Sequence, residues 1–161
     1  LDLRPPGWSA RLGLDRPADA AVSTTALHWL AEPDLRAVYK ELATVLRPGG
    51  LFLDGDQLSL DEHATPTLAR LERAVCEFDE RRRFAAGRPE DWTAWWDAVT
   101  ADPALAEAVA LRAARSQNGD HGTPETERLG THVSALRDAG FAEIGTLWQH
   151  GDNRLLCAIR S

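Results

Sequence analysis

DAAVSTTALHWLAEPDLRAVYKELATVLRPGGLFLDGD, residues 19 to 56, reads as strand, loop, helix, stop and strand. Ala20, Ala21 and Val22 form a short apolar run that breaks into Ser23, Thr24 and Thr25, the pattern of a buried parallel strand reaching its functional end. A helix is expected next: Pro33 suits its first turn and Asp34 complements the positive end of its dipole. Leu35, Val38, Tyr39, Leu42, Val45 and Leu46 then recur at three- and four-residue intervals on one face. Arg47-Pro48-Gly49-Gly50 should end the helix, because proline cannot continue the ladder and glycine supplies a left-handed turn. Leu51, Phe52 and Leu53 make a second buried strand that closes on Asp54 and Asp56. The stretch is one βαβ unit.

In order along the chain, STTALHWL, a helix containing VYKELATVL, and LRPGGLFL resemble the central part of the class I S-adenosylmethionine-dependent methyltransferases of the small-molecule type. Near the other end, LRDAGFAEIGTLWQHGDNRLLCAIR is similar to that family's final helix and last two strands, one inserted antiparallel. The resemblance implies S-adenosylmethionine as cofactor and a small molecule as methyl acceptor. It also implies roles. Asp2, after an upstream strand, would accept from the adenine amino group, and the Leu3 backbone N–H would meet the ring. Ser23 and Thr24 would line the methionine part of the cofactor, largely through backbone groups and hydroxyls. His28 and Trp29 would sit beside the transferring methyl group, with His28 as the candidate catalytic base, since imidazole accepts a proton near neutral pH. Packing or orienting is the other role open to it, because proximity and in-line orientation can carry such reactions.

Asp54, Asp56 and Gln57 end the second strand at the same crevice, where a carboxylate either meets a substrate hydroxyl or solvates the loop; Asp56 is taken as the substrate-binding candidate. No second acidic group converges with them in the sequence, so no metal is expected.

Residues 58 to 130 read as an all-helical insertion, a cap over the crevice. Thr65-Pro66, Arg88-Pro89 and Asp102-Pro103 each place proline at a helix start. Leu68, Leu71, Val75 and Phe78 form one apolar stripe; Trp92, Trp95, Trp96 and Val99 form another. Aromatic stripes at helical spacing usually make core. One indole, assigned to Trp96, is nonetheless expected to face an apolar substrate. Asn118 to Pro124 reads as a loop with an exposed His121, and His63 and His132 have no evident partner. Residues 131 to 161 supply a helix from Thr131 to Ala139, a strand over Glu143 to Gln149, a turn at His150-Gly151-Asp152-Asn153 and a returning strand.

The 161 residues carry a net charge of −7, which argues against a duplex nucleic-acid partner. Arg81-Arg82-Arg83 stands beside Glu77, Asp79 and Glu80, a self-compensating solvated face. The two cysteines, Cys76 and Cys157, fit no zinc spacing and read as free thiols of a reducing cytoplasm. No apolar run approaches the roughly 20 residues that span a bilayer.

No Gly-rich loop with G-x-G spacing between strand and helix is present, and the chain opens on LDLRPPGW, like the end of a strand and its loop. The expected architecture is therefore α/β: a partial Rossmann-like methyltransferase sheet (three-layer αβα) with a helical cap insertion and a C-terminal antiparallel β-hairpin. Its divisions are residues 1–57, 58–130 and 131–161. The chain reads as the C-terminal part of the enzyme, inactive alone, its exposed strand edges prone to association. The alternative is a non-catalytic binding or scaffolding protein of the same fold. A nicotinamide-dependent oxidoreductase is disfavoured by the terminal hairpin, and a hydrolase by the absence of a G-x-S-x-G elbow.

Overall fold

The computed structural model describes residues 2–85, 87, 92–116 and 125–161. The Arg88-Pro89 helix start and the loop carrying His121 lie outside them. Four strands, β1 (Ala18–Thr24), β2 (Leu46–Gln57), β3 (Phe141–His150) and β4 (Asn153–Arg160), form one sheet in the order β1-β2-β4-β3. β1 and β2 are parallel; β4 lies antiparallel between β2 and β3. This is the partial Rossmann-like sheet with an inserted antiparallel strand that the sequence implied.

The βαβ unit closes through α1 (Glu32–Val45), with Pro33 in its first turn. Leu35, Val38, Tyr39 and Leu42 are buried against Phe52, Leu156, Ala158 and the Leu136 side chain of α5 (Leu129–Asp138). Each such side chain taken from water contributes roughly 1.5–3 kcal/mol, so this layer dominates the stability of the domain. Arg36 of α1 bridges to Asp138 and Ser134 of α5. Before β1, Trp8 drops into the same core, and the Glu41 carboxylate on α1 accepts from the Gly7 and Ser9 N–H groups. Those bonds hold the Glu41 carboxyl below its usual pKa.

Two local readings are corrected. The helix stops at Val45, and Leu46 is already extended and buried. Arg47-Pro48-Gly49-Gly50 is instead an outward loop within β2: Ala18 pairs with Leu46, whereas Ala20 pairs with Leu51. Gly49 has φ +70°, and a Cβ on Gly50 would lie 2.7 Å from the Arg47 carbonyl oxygen, so the loop needs both glycines. Arg47 pairs with Asp19 at 2.8 Å rather than with the helix end. The second correction concerns β1. It is an edge strand, and Val22 is 68% exposed.

Between β2 and α5 come α2 (Pro66–Ala85), α3 (Trp92–Ala101) and α4 (Ala106–Ser116). Asp102 caps the turn leading into α4 by accepting from the Ala104 N–H. The expected core stripe of α2 is not core: Leu68, Leu71, Val75 and Phe78 are all exposed, and the buried residues of α2 are Ala69 and Glu72. A buried ion pair from Glu72 to Arg154 of β4 fastens α2 to the sheet, and the other Glu72 oxygen accepts from the Leu60 N–H. Gly151 in the β3–β4 turn abuts α2 so closely that a Cβ would lie 2.7 Å from the Cys76 sulfur. Neither Cys76 nor Cys157 is disulfide-bonded, and partial burial raises both thiol pKa values.

Candidate active site

In open α/β sheets ligands bind at the carboxyl ends of parallel strands. Here those ends are Ser23 to Thr25 and Asp54 to Gln57, side by side in register: Ser23 opposite Asp54, Thr24 opposite Gly55. The chain leaves β1 through Thr25, whose φ is +46° and whose N–H donates to the Gly55 carbonyl at 3.0 Å. It turns once through Leu27–Trp29 before entering α1. Leu27 is buried and anchors that turn, so the next side chain, His28, is delivered to the strand ends.

His28 Nδ1 lies 2.7 Å from Asp56 Oδ1, and the same oxygen accepts from the Gln57 N–H at 2.8 Å. A carboxylate oxygen accepts, so the pairing places the proton on Nδ1 and leaves Nε2 as the basic nitrogen of the ring. The Asp56 side chain is fully buried and His28 mostly so. Asp56 Oδ2 has no hydrogen-bond partner among the described residues. The Trp29 ring stands 4.9 Å from the His28 ring, and both line an open cavity of about 620 Å³ with Thr25, Gln57, Glu127 and Trp92.

Beneath this pair the site is layered. Asp54, two residues back on the same face of β2, is wholly buried, and neither of its oxygens finds a hydrogen-bond partner among the described residues. Burial pushes its carboxyl up to about 7, a shift the Ser23 hydroxyl opposes and the nearby Asp56 reinforces. His132, which the sequence left without a partner, is buried with Nε2 2.8 Å from the Thr126 carbonyl and Nδ1 2.6 Å from the Tyr39 hydroxyl. A carbonyl can only accept, so Nε2 carries the proton and Nδ1 accepts from Tyr39. Burial lowers the His132 pKa and raises that of Tyr39, keeping both neutral. Asp54 Oδ2 stands 3.7 Å from His132 Nδ1.

The structure thus brings His28 and Trp29 to one cavity; Asp56, expected to meet substrate, is instead fully buried behind His28 and does not line the cavity. Thr24 stands exposed at the end of β1, whereas Ser23 turns its hydroxyl inward toward Asp54. Asp2 lies apart: it is exposed, and its carboxylate is engaged by the Arg4 backbone and guanidinium, which hold its pKa at about 2. Leu3 packs against the core. Trp96 sits under the Arg112 guanidinium at 4.1 Å, within the cluster formed with Trp92 and Trp95; the tryptophan of α3 that lines the cavity is Trp92. Sequence reasoning missed Glu127 and Thr126 as parts of the site, and it set Asp54 at the crevice where the structure buries it beneath. Neither Glu127 nor Thr126 carried a local signal in the sequence. Among the described residues no group of three His, Cys, Asp or Glu side chains is arranged to hold a metal, and no helix is long and apolar enough to cross a membrane.

Residues 12–53 match the family model described as a methyltransferase domain. No curated protein matches the chain. Among solved structures, an O-methyltransferase family protein from Burkholderia thailandensis is 18% identical, with a TM-score of 0.52, over 100% of this chain and 34% of its own. Human N-acetylserotonin methyltransferase in complex with S-adenosylmethionine is 18% identical over 91% of this chain and 30% of its own, with a TM-score of 0.47. The magnesium protoporphyrin IX methyltransferase of Synechocystis with bound S-adenosylhomocysteine is 12% identical over 92% and 48%, with a TM-score of 0.40. The chain spans about a third of the length of the Burkholderia protein. The central βαβ unit is thus similar to a methyltransferase domain over residues 12–53, and the chain shares its fold with the Burkholderia protein.

Proposed function

We propose that this chain contributes the acceptor side of an S-adenosylmethionine-dependent methyl transfer to a small molecule bearing a hydroxyl group. The observation that carries the proposal is the His28–Asp56 pair at the carboxyl ends of β1 and β2, facing a cavity bordered by Trp29 and Trp92. A hydroxyl is a poor nucleophile until its proton is removed as the new bond forms, so a held imidazole beside the acceptor has a defined task. Asp56 fixes the ring with Nδ1 protonated. Nε2 then accepts the hydroxyl proton, and Asp56 stabilises the imidazolium that results. The indoles of Trp29 and Trp92 offer flat apolar surface to the body of the acceptor and exclude water from it.

The cofactor would be S-adenosylmethionine, whose sulfonium supplies an electrophilic methyl group. The residues present fit one side of it. Thr24 and the backbone of Ser23 stand at the strand ends to receive its methionine part, whereas Asp2 would have to exchange its Arg4 partner for the adenine amino group. Leu3 would meet the ring through its N–H. No Gly-rich loop accompanies these groups, so the chain alone should bind the cofactor weakly; calorimetry giving micromolar affinity would overturn that expectation. Residues 58–130 act in this reading as a cap between the α/β parts 1–57 and 131–161.

The test uses the open reading frame that contains this chain. Expressed whole and supplied with S-adenosylmethionine and a panel of phenols and alcohols, it should yield products heavier by one methylene. His28→Ala should then lower kcat by roughly 10²–10⁴-fold with KM little changed. A His28→Ala enzyme of full activity would remove the base role, and absence of any methylated product would remove the reaction.

A further inference from the structure

A chain of buried hydrogen bonds runs from α1 through α5 to the backbone of His28. The Tyr39 hydroxyl donates to His132 Nδ1 at 2.6 Å, and His132 Nε2 donates to the Thr126 carbonyl at 2.8 Å. The Thr126 hydroxyl donates to the His28 carbonyl at 3.2 Å. Tyr39, His132 and Thr126 are each fully buried, and none touches the cavity beside His28. His28 itself sits on a single 3-10 turn, where no regular ladder fixes the backbone. Asp56 holds the ring and Leu27 anchors the turn from the core, and the Thr126 hydroxyl adds a bond to the turn's backbone at His28 itself.

We infer that Thr126, held by His132 and Tyr39, is a positioning residue for His28: it clamps the turn so that the imidazole meets Asp56 with one nitrogen committed and the other presented. Three observations support the inference. Every polar atom of the His132 ring is consumed by the chain, so the ring orientation is dictated rather than chosen among alternatives. The links bind four separate segments, which makes the arrangement cooperative. Thr126 lies just before α5, where its carbonyl takes the His132 proton while its hydroxyl reaches across to the carbonyl of His28, 98 residues away in sequence.

The inference rests on His28 being the functional imidazole, but its test reads the ring directly and needs no turnover. In the chain as it stands, imidazole ¹H–¹⁵N spectra should show a single His28 tautomer with a slowly exchanging Nδ1–H. Thr126→Val keeps the shape and removes the donor; it should speed exchange of that proton by roughly tenfold, the factor that loss of one net hydrogen bond supplies. Thr126→Ser should restore protection. Tyr39→Phe, acting from the far end of the chain, should speed exchange less, and it serves as the readout if Thr126→Val fails to fold. Unchanged exchange in a folded Thr126→Val or Tyr39→Phe chain, or equal exchange in Thr126→Ser and Thr126→Val, would overturn the clamp. Failure of the methylation assay would leave these spectra unaffected, so the two readings fall separately.

Discussion

α1 and α2 carry the same kind of signal and meet opposite fates. Both present apolar residues at three- and four-residue intervals, Leu35, Val38, Tyr39 and Leu42 on one, Leu68, Leu71, Val75 and Phe78 on the other. The first stripe lies in the core between the sheet and α5; the second faces outward, with Phe78 57% exposed. Periodicity selects a helix and gives it a face. What covers that face depends on which elements the topology sets beside it. α1 is the crossover of a right-twisted βαβ unit and has no choice but to lie on the sheet. α2 is fastened by polar groups, through Glu72 to Arg154 and through Asp79 to His150.

That contrast can be broken first at Glu72. Glu72→Ala would leave the buried Arg154 guanidinium without its partner, and loss of one member of a buried pair costs about 4 kcal/mol. Urea unfolding that shifts by less than 1 kcal/mol would show that the ion pair does not fasten α2.

Asp54 sharpens the comparison within the core layer itself. Its folded pKa of about 7 stands above the ordinary carboxylate value, so the folded state holds a proton that the unfolded state has released. The sign follows directly: the stability it contributes is complete below pH 4 and is lost as pH rises through 7. The loss amounts to roughly 4 kcal/mol in total at 1.36 kcal/mol per pKa unit. His132, with its lowered pKa, works in the opposite sense: the folded state gains as pH rises toward 6.5, and the gain is complete above it. Ser23 on β1, Asp56 and His28 face the same group and set its value. Asp54→Asn should therefore be more stable than the parent at pH 8, and its stability should rise rather than fall between pH 5 and 8. Parallel pH profiles for the two chains would exclude a buried protonated Asp54.

The smallest effect belongs to the stripes themselves, compared side by side. Leu35→Ala on α1 should cost about 3 kcal/mol, whereas Leu71→Ala on α2 should cost about 0.5 kcal/mol. Equal losses would mean that the α2 stripe is covered in solution.

The βαβ unit, the hairpin and the last helix were legible because each is local: apolar runs of strand length, proline at a helix start, glycine at Gly140 and Gly151 where φ is positive. The loop at Arg47 to Gly50 was read as a helix stop because a Pro-Gly-Gly run marks a break without saying on which side of Leu46 it falls. At the site, His28 and Trp29 were named through the resemblance and Asp56 from its place at a strand end. Their pairing could not be named, since Nδ1 to Oδ1 contact spans 28 residues and depends on the register of β1 against β2. The choice between Trp92 and Trp96 turned on the rotation of one short helix. Adjacent residues of a helix point about 100° apart, and no periodicity reveals which direction the cavity lies.

The sequence by itself determined the order and type of the elements, because backbone geometry and apolar spacing are properties of neighbours along the chain; the methyl-transfer reading came from resemblance and not from spacing. Only the tertiary structure decided that Asp56 holds His28, that Asp54 is wholly buried and that Tyr39, His132 and Thr126 join into one chain. Those are statements about burial and distance between segments far apart in sequence. The energies that make them matter, desolvation of a carboxyl and hydrogen bonds removed from water, do not exist until the segments meet.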